Sequence, residues 1–331
     1  DNNDIPIQIT ETIGSSNIVA ISTGRYHSLF LAENGNVYSC GYSRYGQLGR
    51  TGDKTKPKQI TDTIGTSTIV AISAGSYHSL FLDKNGNVYS CGRDIFGQLG
   101  RTGDNNDIPM QITETIDNSN IVAICAGGYH SLFLDENGNV YSCGSDDYGQ
   151  LGRTSDNNDI PIQITETIGS SNIVAISTGR YHSLFLAENG NVYSCGYSRY
   201  GQLGRTGDKT KPKQITDTIG TSTIVAISAG SYHSLFLDKN GNVYSCGRDI
   251  FGQLGRTGDN NDIPMQITET IDNSNIVAIC AGGYHSLFLD ENGNVYSCGW
   301  DSFGQLGRTG VTTKPMQITE TIGSSNIVAI S

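Results

Sequence analysis

Six histidines, His27, His78, His130, His182, His233 and His285, stand 51 or 52 residues apart, each inside the string Tyr-His-Ser-Leu-Phe-Leu. A ring of imidazoles could bind metal or carry protons. A catalytic site, however, needs different residues in different roles. Identical placement in every repeat points instead to a structural task, a buried imidazole bonded to neighbouring backbone. Eight cysteines follow the same logic. Cys40, Cys91, Cys143, Cys195, Cys246 and Cys298 share one repeat position, and Cys125 and Cys280 another. Equivalent positions in successive repeats lie beyond the ~7 Å Cα separation a disulfide tolerates. No Cys-x-x-Cys occurs, so zinc is not expected. Buried free thiols are the expectation, which favours a reducing compartment such as cytoplasm or nucleus, or thiols hidden from oxidant, with a particle surface as the alternative. Asp135-Glu136-Asn137-Gly138-Asn139 has the look of a calcium loop but lacks its later glutamate, and Gly46-Gln47-Leu48-Gly49 lacks the Lys-Ser/Thr of a phosphate loop. No catalytic residue, cofactor or metal site is expected.

The positions that do vary form one loop, after each Cys-Gly. They read Tyr42-Ser43-Arg44-Tyr45, Arg93-Asp94-Ile95-Phe96, Ser145-Asp146-Asp147-Tyr148, Tyr197-Ser198-Arg199-Tyr200, Arg248-Asp249-Ile250-Phe251 and Trp300-Asp301-Ser302-Phe303. Residues 1–155 recur as 156–310 with four differences, and three of them, Ser145/Trp300, Asp147/Ser302 and Tyr148/Phe303, fall here; the fourth is Ser155/Gly310. Loops varying on a constant scaffold are where binding surfaces sit, and aromatic and Arg residues anchor interfaces. The candidate rim is therefore Tyr42, Arg44, Tyr45, Arg93, Asp94, Phe96, Asp146, Tyr148, Tyr197, Arg199, Tyr200, Arg248, Phe251, Trp300, Asp301 and Phe303. Arg25 and Arg180, beside the Tyr-His pair, are added to it. The competing reading is drift in exposed loops, with the Tyr and Phe rings packed between repeats.

Something must hold these loops in place. The chain has 331 residues and 42 glycines, where the usual ~7% would give about 23. With only 7 prolines, that excess means tight turns rather than collagen or linker. The net charge of −11 argues against general nucleic-acid binding. No apolar run approaches the ~20 residues of a membrane span, so no membrane insertion is expected. Abundant Asn, Ile, Asp, Ser, Thr and Tyr with scarce Pro and Arg fit an AT-rich source.

Each repeat reads as four short strands: a buried run such as 18–21, a hairpin of 28–31 and 36–40 joined at Asn34-Gly35, and a fourth strand near 58–61 after Pro57. One four-stranded unit per ~50 residues is the mark of a β-propeller, in which ring closure removes exposed edges.

Ala74-Gly75-Ser76-Tyr77-His78-Ser79-Leu80, Asn85-Gly86-Asn87-Val88-Tyr89-Ser90-Cys91-Gly92 and Gly97-Gln98-Leu99-Gly100 together resemble the repeats of the regulator of chromosome condensation family, across the whole chain. Cys91 stands where that family usually has Trp. The resemblance implies an all-β propeller closing seven blades. Six complete hairpins are visible, plus an outer strand at 5–10 and an inner strand at 327–330. The expectation is thus a single domain over 1–331, seven-bladed with one blade incomplete; a six-bladed ring or an open array is the alternative. The function expected is a non-enzymatic scaffold, its partner another protein or copies of itself. The resemblance also implies guanine-nucleotide exchange on a small GTPase, against which the unbroken repeat spacing counts. A third reading is a self-assembling surface or fibre component of a particle such as a giant virus.

Overall fold

A computed structural model describes residues 6, 8–9, 13, 17–61, 64, 67–103, 106–116, 120–154, 156–165, 172–216, 219, 222–258, 260–268, 271, 275–319 and 327–331. Six four-stranded antiparallel sheets follow one another along the chain. In the first, β1 (Ile18–Thr23) pairs with β2 (His27–Ala32), β2 with β3 (Val37–Gly41), and β3 with β4 (Lys58–Gln59). The other five repeat this order. The described residues contain no helix, hence none long and apolar enough to cross a membrane.

The local chemistry explains each element. Ile-Val-Ala-Ile is β-branched and suits a half-buried pleat. The Asn34-Gly35 turn differs from the expected two-residue type. Gly35 N–H bonds the Ala32 carbonyl at 2.9 Å and Ala32 N–H bonds Asn36 at 2.9 Å, leaving Glu33, Asn34 and Gly35 as a three-residue loop. Only the glycine turns left-handed, and all six equivalents have φ between 79° and 84°; this is a type I turn closed by a glycine bulge. The outer strand is also shorter than expected. Only Tyr38↔Gln59 and Ser39↔Lys58 pair, because Ile60 then turns inward to become 2% exposed core. A short outer edge resists pairing with other chains.

The core lies between blades. Leu29, Leu31, Val37, Ile60 and Ile64 of the first blade pack against Phe81, Tyr89 and Cys91 of the second, and the pattern recurs around the ring. All eight cysteines are free, five of them buried. Burial pushes the Cys91, Cys143, Cys195, Cys246 and Cys298 thiols far up, and Cys280 to about 11. They are inert fillers.

The histidines tie successive blades together, but not through backbone as expected. His27 Nε2 lies 2.8 Å from Ser79 Oγ of the next blade, and Ser79 Oγ donates to the Gln47 carbonyl at 2.7 Å. The hydroxyl proton is committed to that carbonyl, so the imidazole Nε2–H must donate, and with Nδ1 buried and offered no acceptor the ring stays neutral. Four more such pairs run round the ring, His78–Ser131, His130–Ser183, His182–Ser234 and His233–Ser286, at 2.9 Å each. Burial lowers His27 to about 4 and His78, His130, His182 and His233 to about 3.

Six complete blades are present, as the six-bladed alternative has it. The two ends of the chain meet between the sixth blade and the first. Ile327 and Ile330 pack on Leu289 and Val295, while Thr23 N–H donates to Ser331 Oγ at 3.3 Å. Residues 327–331 are not paired as a strand. Of the expected outer strand at 5–10 only residues 6, 8 and 9 are described, and they are not paired as a strand, while 5, 7 and 10 lie outside the described residues.

Candidate functional site

In every blade the β1–β2 connection and the loop after β3 emerge at the same end, because β2 and β3 run antiparallel from His27↔Gly41. The Asn-Gly turns lie at the other end. His27 enters the sheet and points into the joint; Tyr26, one residue earlier, is left on the surface. The consequence is a continuous arc of six tyrosines. Ring centroids are 5.4 Å apart for Tyr26–Tyr77, 6.0 Å for Tyr77–Tyr129, 6.1 Å for Tyr129–Tyr181, 6.1 Å for Tyr181–Tyr232 and 5.9 Å for Tyr232–Tyr284.

The varied loops build on this arc. In the first five loops the last aromatic sits edge-on against the tyrosine of the next blade: Tyr45 on Tyr77 at 5.6 Å, Phe96 on Tyr129 at 5.5 Å, Tyr148 on Tyr181 at 5.3 Å, Tyr200 on Tyr232 at 5.7 Å and Phe251 on Tyr284 at 5.6 Å. Edge-to-face contacts of this kind are worth ~1 kcal/mol beyond burial. Tyr42 and Tyr197 pack beside Tyr26 and Tyr181 at 5.8 and 6.0 Å. Trp300 stacks on Phe251 at 5.6 Å and meets Tyr284 at 5.8 Å. Phe303 touches Trp300 and is otherwise open, 77% exposed.

Four guanidinium groups lie over these rings. Arg25 covers Tyr26 at 5.0 Å, Arg93 covers Tyr45 at 4.8 Å, Arg180 covers Tyr181 at 4.9 Å and Arg248 covers Tyr200 at 4.8 Å. Arg180 Nη1 also donates to the Tyr232 hydroxyl at 3.1 Å. The Nε groups of Arg93, Arg180 and Arg248 are buried without a hydrogen-bond partner. Burial raises the Tyr181 and Tyr232 phenols, so they stay neutral donors.

The structure thus brings together Arg25, Tyr42, Tyr45, Arg93, Phe96, Tyr148, Arg180, Tyr197, Tyr200, Arg248, Phe251, Trp300 and Phe303. Arg44 and Arg199 are exposed beside them. The acidic candidates have another task. Asp94, Asp146 and Asp301 each accept the backbone N–H of Leu99, Leu151 and Leu306 at 2.8–2.9 Å. They close the loop from beneath, as Asx side chains do, and burial raises the Asp94 and Asp146 carboxyls. The tyrosine arc itself is missing from the expected rim. Its invariance concealed it, although a residue one step before a buried strand residue must face away.

Inside the arc a funnel of about 550 Å³ is lined by Gly75, Gly127, Gly179 and Gly230 with Tyr26 and Trp300. A Cβ on Gly75 would stand 2.5 Å from the Gly127 carbonyl and 2.6 Å from the His78 ring, so the inner joints admit no side chain there. The described residues hold no cluster of three metal-ligating side chains.

The chain matches the RCC1-like domain model over residues 1–331. It belongs to that family. It is 32% identical over 300 residues to the ultraviolet-B receptor UVR8 of Arabidopsis thaliana, covering 88% of this chain and 67% of that one. It is 28% identical to the E3 ubiquitin-protein ligase HERC2 of Homo sapiens over 92% of this chain, which is only 6% of that protein. Among solved structures, Prp20p of Saccharomyces cerevisiae, described with its binding to Gsp1p and histones, superposes with a TM-score of 0.78 at 27% identity, covering 92% of this chain and 77% of that one.

Proposed function

We propose that this propeller is a protein-binding platform and that its contact surface is the tyrosine–arginine face. The observation that carries the reading is the unbroken arc of six tyrosines capped by four guanidinium groups. Tyr, Trp and Arg are the residues that dominate binding energy at protein interfaces. Held in place by the joints beneath, the rings lose little freedom on binding, which favours affinity. The exposed guanidinium groups of Arg25, Arg44 and Arg199 beside the arc suit backbone carbonyls or carboxylates of a partner. The binding of Gsp1p and histones described for Prp20p is consistent with a propeller in this role.

The test is selection of binding peptides from a displayed random library, with no assumption about the natural partner. Binders are expected to lose at least about 100-fold affinity, or ~2.7 kcal/mol, against the chain carrying Tyr129→Ala and Arg180→Ala. They should be unaffected by Lys84→Ala and Glu136→Ala at the Asn-Gly end. Binders indifferent to the first pair would refute the reading.

A further inference from the structure

The funnel inside the tyrosine arc differs in charge from the rest of the molecule. The chain carries 32 acidic and 21 basic residues, yet among the described residues that line the funnel none is acidic, while Arg25 and Arg180 both belong to its wall. The two arginines hold the same repeat position, two residues before a histidine, where the other repeats have Ser76, Gly128, Ser231 and Gly283. Three blades separate them, so they stand on different sides of the funnel. Rings hold each guanidinium in place: Arg25 lies over Tyr26 at 5.0 Å, and Arg180 over Tyr181 at 4.9 Å and Tyr232 at 5.9 Å. A cation fixed in this way loses little freedom when it meets an anion.

Two features could cancel this charge, and neither does. A wall of free glycine carbonyls would repel an anion, but these carbonyls are engaged. Gly75 accepts Arg25 N–H at 3.3 Å, Gly127 accepts Ser76 N–H at 3.1 Å, Gly179 accepts Gly128 N–H at 3.2 Å and Gly282 accepts Ser231 N–H at 3.3 Å. Aspartates of the surrounding loops could neutralise the arginines, but their carboxylates are turned beneath the loops. Asp94, Asp146, Asp249 and Asp301 accept the backbone N–H of Leu99, Leu151, Leu254 and Leu306 at 2.8–2.9 Å. Asp147, exposed on its loop, accepts the Ser145 hydroxyl at 3.2 Å. On the funnel wall the Ser76 and Ser231 hydroxyls add neutral donors. Positive charge without a counter-charge, set in a recess of about 550 Å³, focuses potential on an incoming anion.

We infer that the funnel is an anion site and that it receives a carboxylate-rich loop of the protein that docks on the arc. Given the arc as contact surface, on which this assignment rests, the partner presents Asp or Glu side chains that reach past the rings to Arg25 and Arg180. A guanidinium fork matches a carboxylate in shape as well as charge. The recess falls within the size range of sites that enclose a ligand, so a short acidic loop fits. A basic segment is rejected by the same charge.

Trp300, the chain's single tryptophan, lines the funnel and reports on its occupancy. The test titrates a synthetic hexaglutamate peptide into the intact chain and follows Trp300 fluorescence, with hexalysine and inorganic phosphate as comparison probes. Saturable binding of hexaglutamate that weakens with added salt, and no binding of hexalysine, is expected. Arg25→Ser and Arg180→Ser should each weaken it about tenfold with a small change in melting temperature, since Ser76 and Ser231 fill that position in other blades. Arg44→Ser and Arg199→Ser on the outer loops should change it little. Absence of hexaglutamate binding, equal binding of hexalysine, or binding indifferent to both funnel arginines would overturn the anion site. Phosphate binding as tight as that of the peptide would assign the funnel to a free anion and overturn the acidic loop. Peptides selected on the arc that lose affinity with Tyr129→Ala, but not with Arg25→Ser and Arg180→Ser, would overturn the anion site and leave the contact surface standing.

Discussion

Tyr26 and His27 are neighbours in sequence, and their counterparts repeat six times, yet the two residues inhabit opposite environments. The histidines lie in a buried seam, donating to serines that in turn hold Gln carbonyls. The tyrosines lie directly above, half-buried, in an arc that arginines cap. One seam makes the ring rigid and the other presents chemistry. Changes in the seam should therefore cost stability, and changes in the arc should cost binding while leaving the fold intact.

Among single substitutions the largest effect is expected from Gly179→Ala. Its Cβ would fall 2.3 Å from the His182 ring and 2.4 Å from the Gly230 carbonyl. Backbone and a buried ring must both move, at a cost of about 3 kcal/mol, read as a lowered urea midpoint. Next comes Ser131→Ala, which strips His78 Nε2–H and the Gln98 carbonyl of their shared partner. Two buried groups left unsatisfied should cost about 2–3 kcal/mol by the same measurement.

Acidification probes the whole seam at once. The histidine pKa values in the folded chain, about 3 to 4, lie below the unfolded value of 6.5. Between those limits the unfolded state binds more protons, so stability falls as pH drops through that window, by up to ~1.4 kcal/mol per pH unit for each histidine. Asp94, Asp146 and Asp249, whose carboxyls are raised by burial, oppose this near the bottom of the window. Melting temperature should decline steadily from pH 7 to pH 4; a flat profile would mean that the imidazoles are not buried neutral. The smallest stability change belongs to the arc. Tyr129→Ala loses the edge contact to Phe96 and the stacked contact to Tyr181 but opens no core, and should cost about 1 kcal/mol.

The repeat made most of the architecture readable, because period, glycine placement and β-branched runs all pointed to four-stranded blades. Interactions between repeats were less accessible. The Ser79 partner of His27 lies in the next repeat, and nothing local marks it. Asp94 and Asp146 look like rim residues until their carboxylates are seen closing loops over Leu99 and Leu151. The tyrosine arc was hidden by uniformity, since variation drew attention to the loops and not to the constant surface on which they rest.

The central claim is that the arc binds and the seam supports. The most direct measurement takes a peptide selected on the wild-type chain and compares its affinity with the melting temperature for two variants, Tyr129→Ala with Arg180→Ala, and Ser131→Ala. The account predicts about 100-fold weaker binding with a small change in melting temperature for the first, and retained binding with a clearly lowered melting temperature for the second. Equal loss of both properties in the two variants would contradict it.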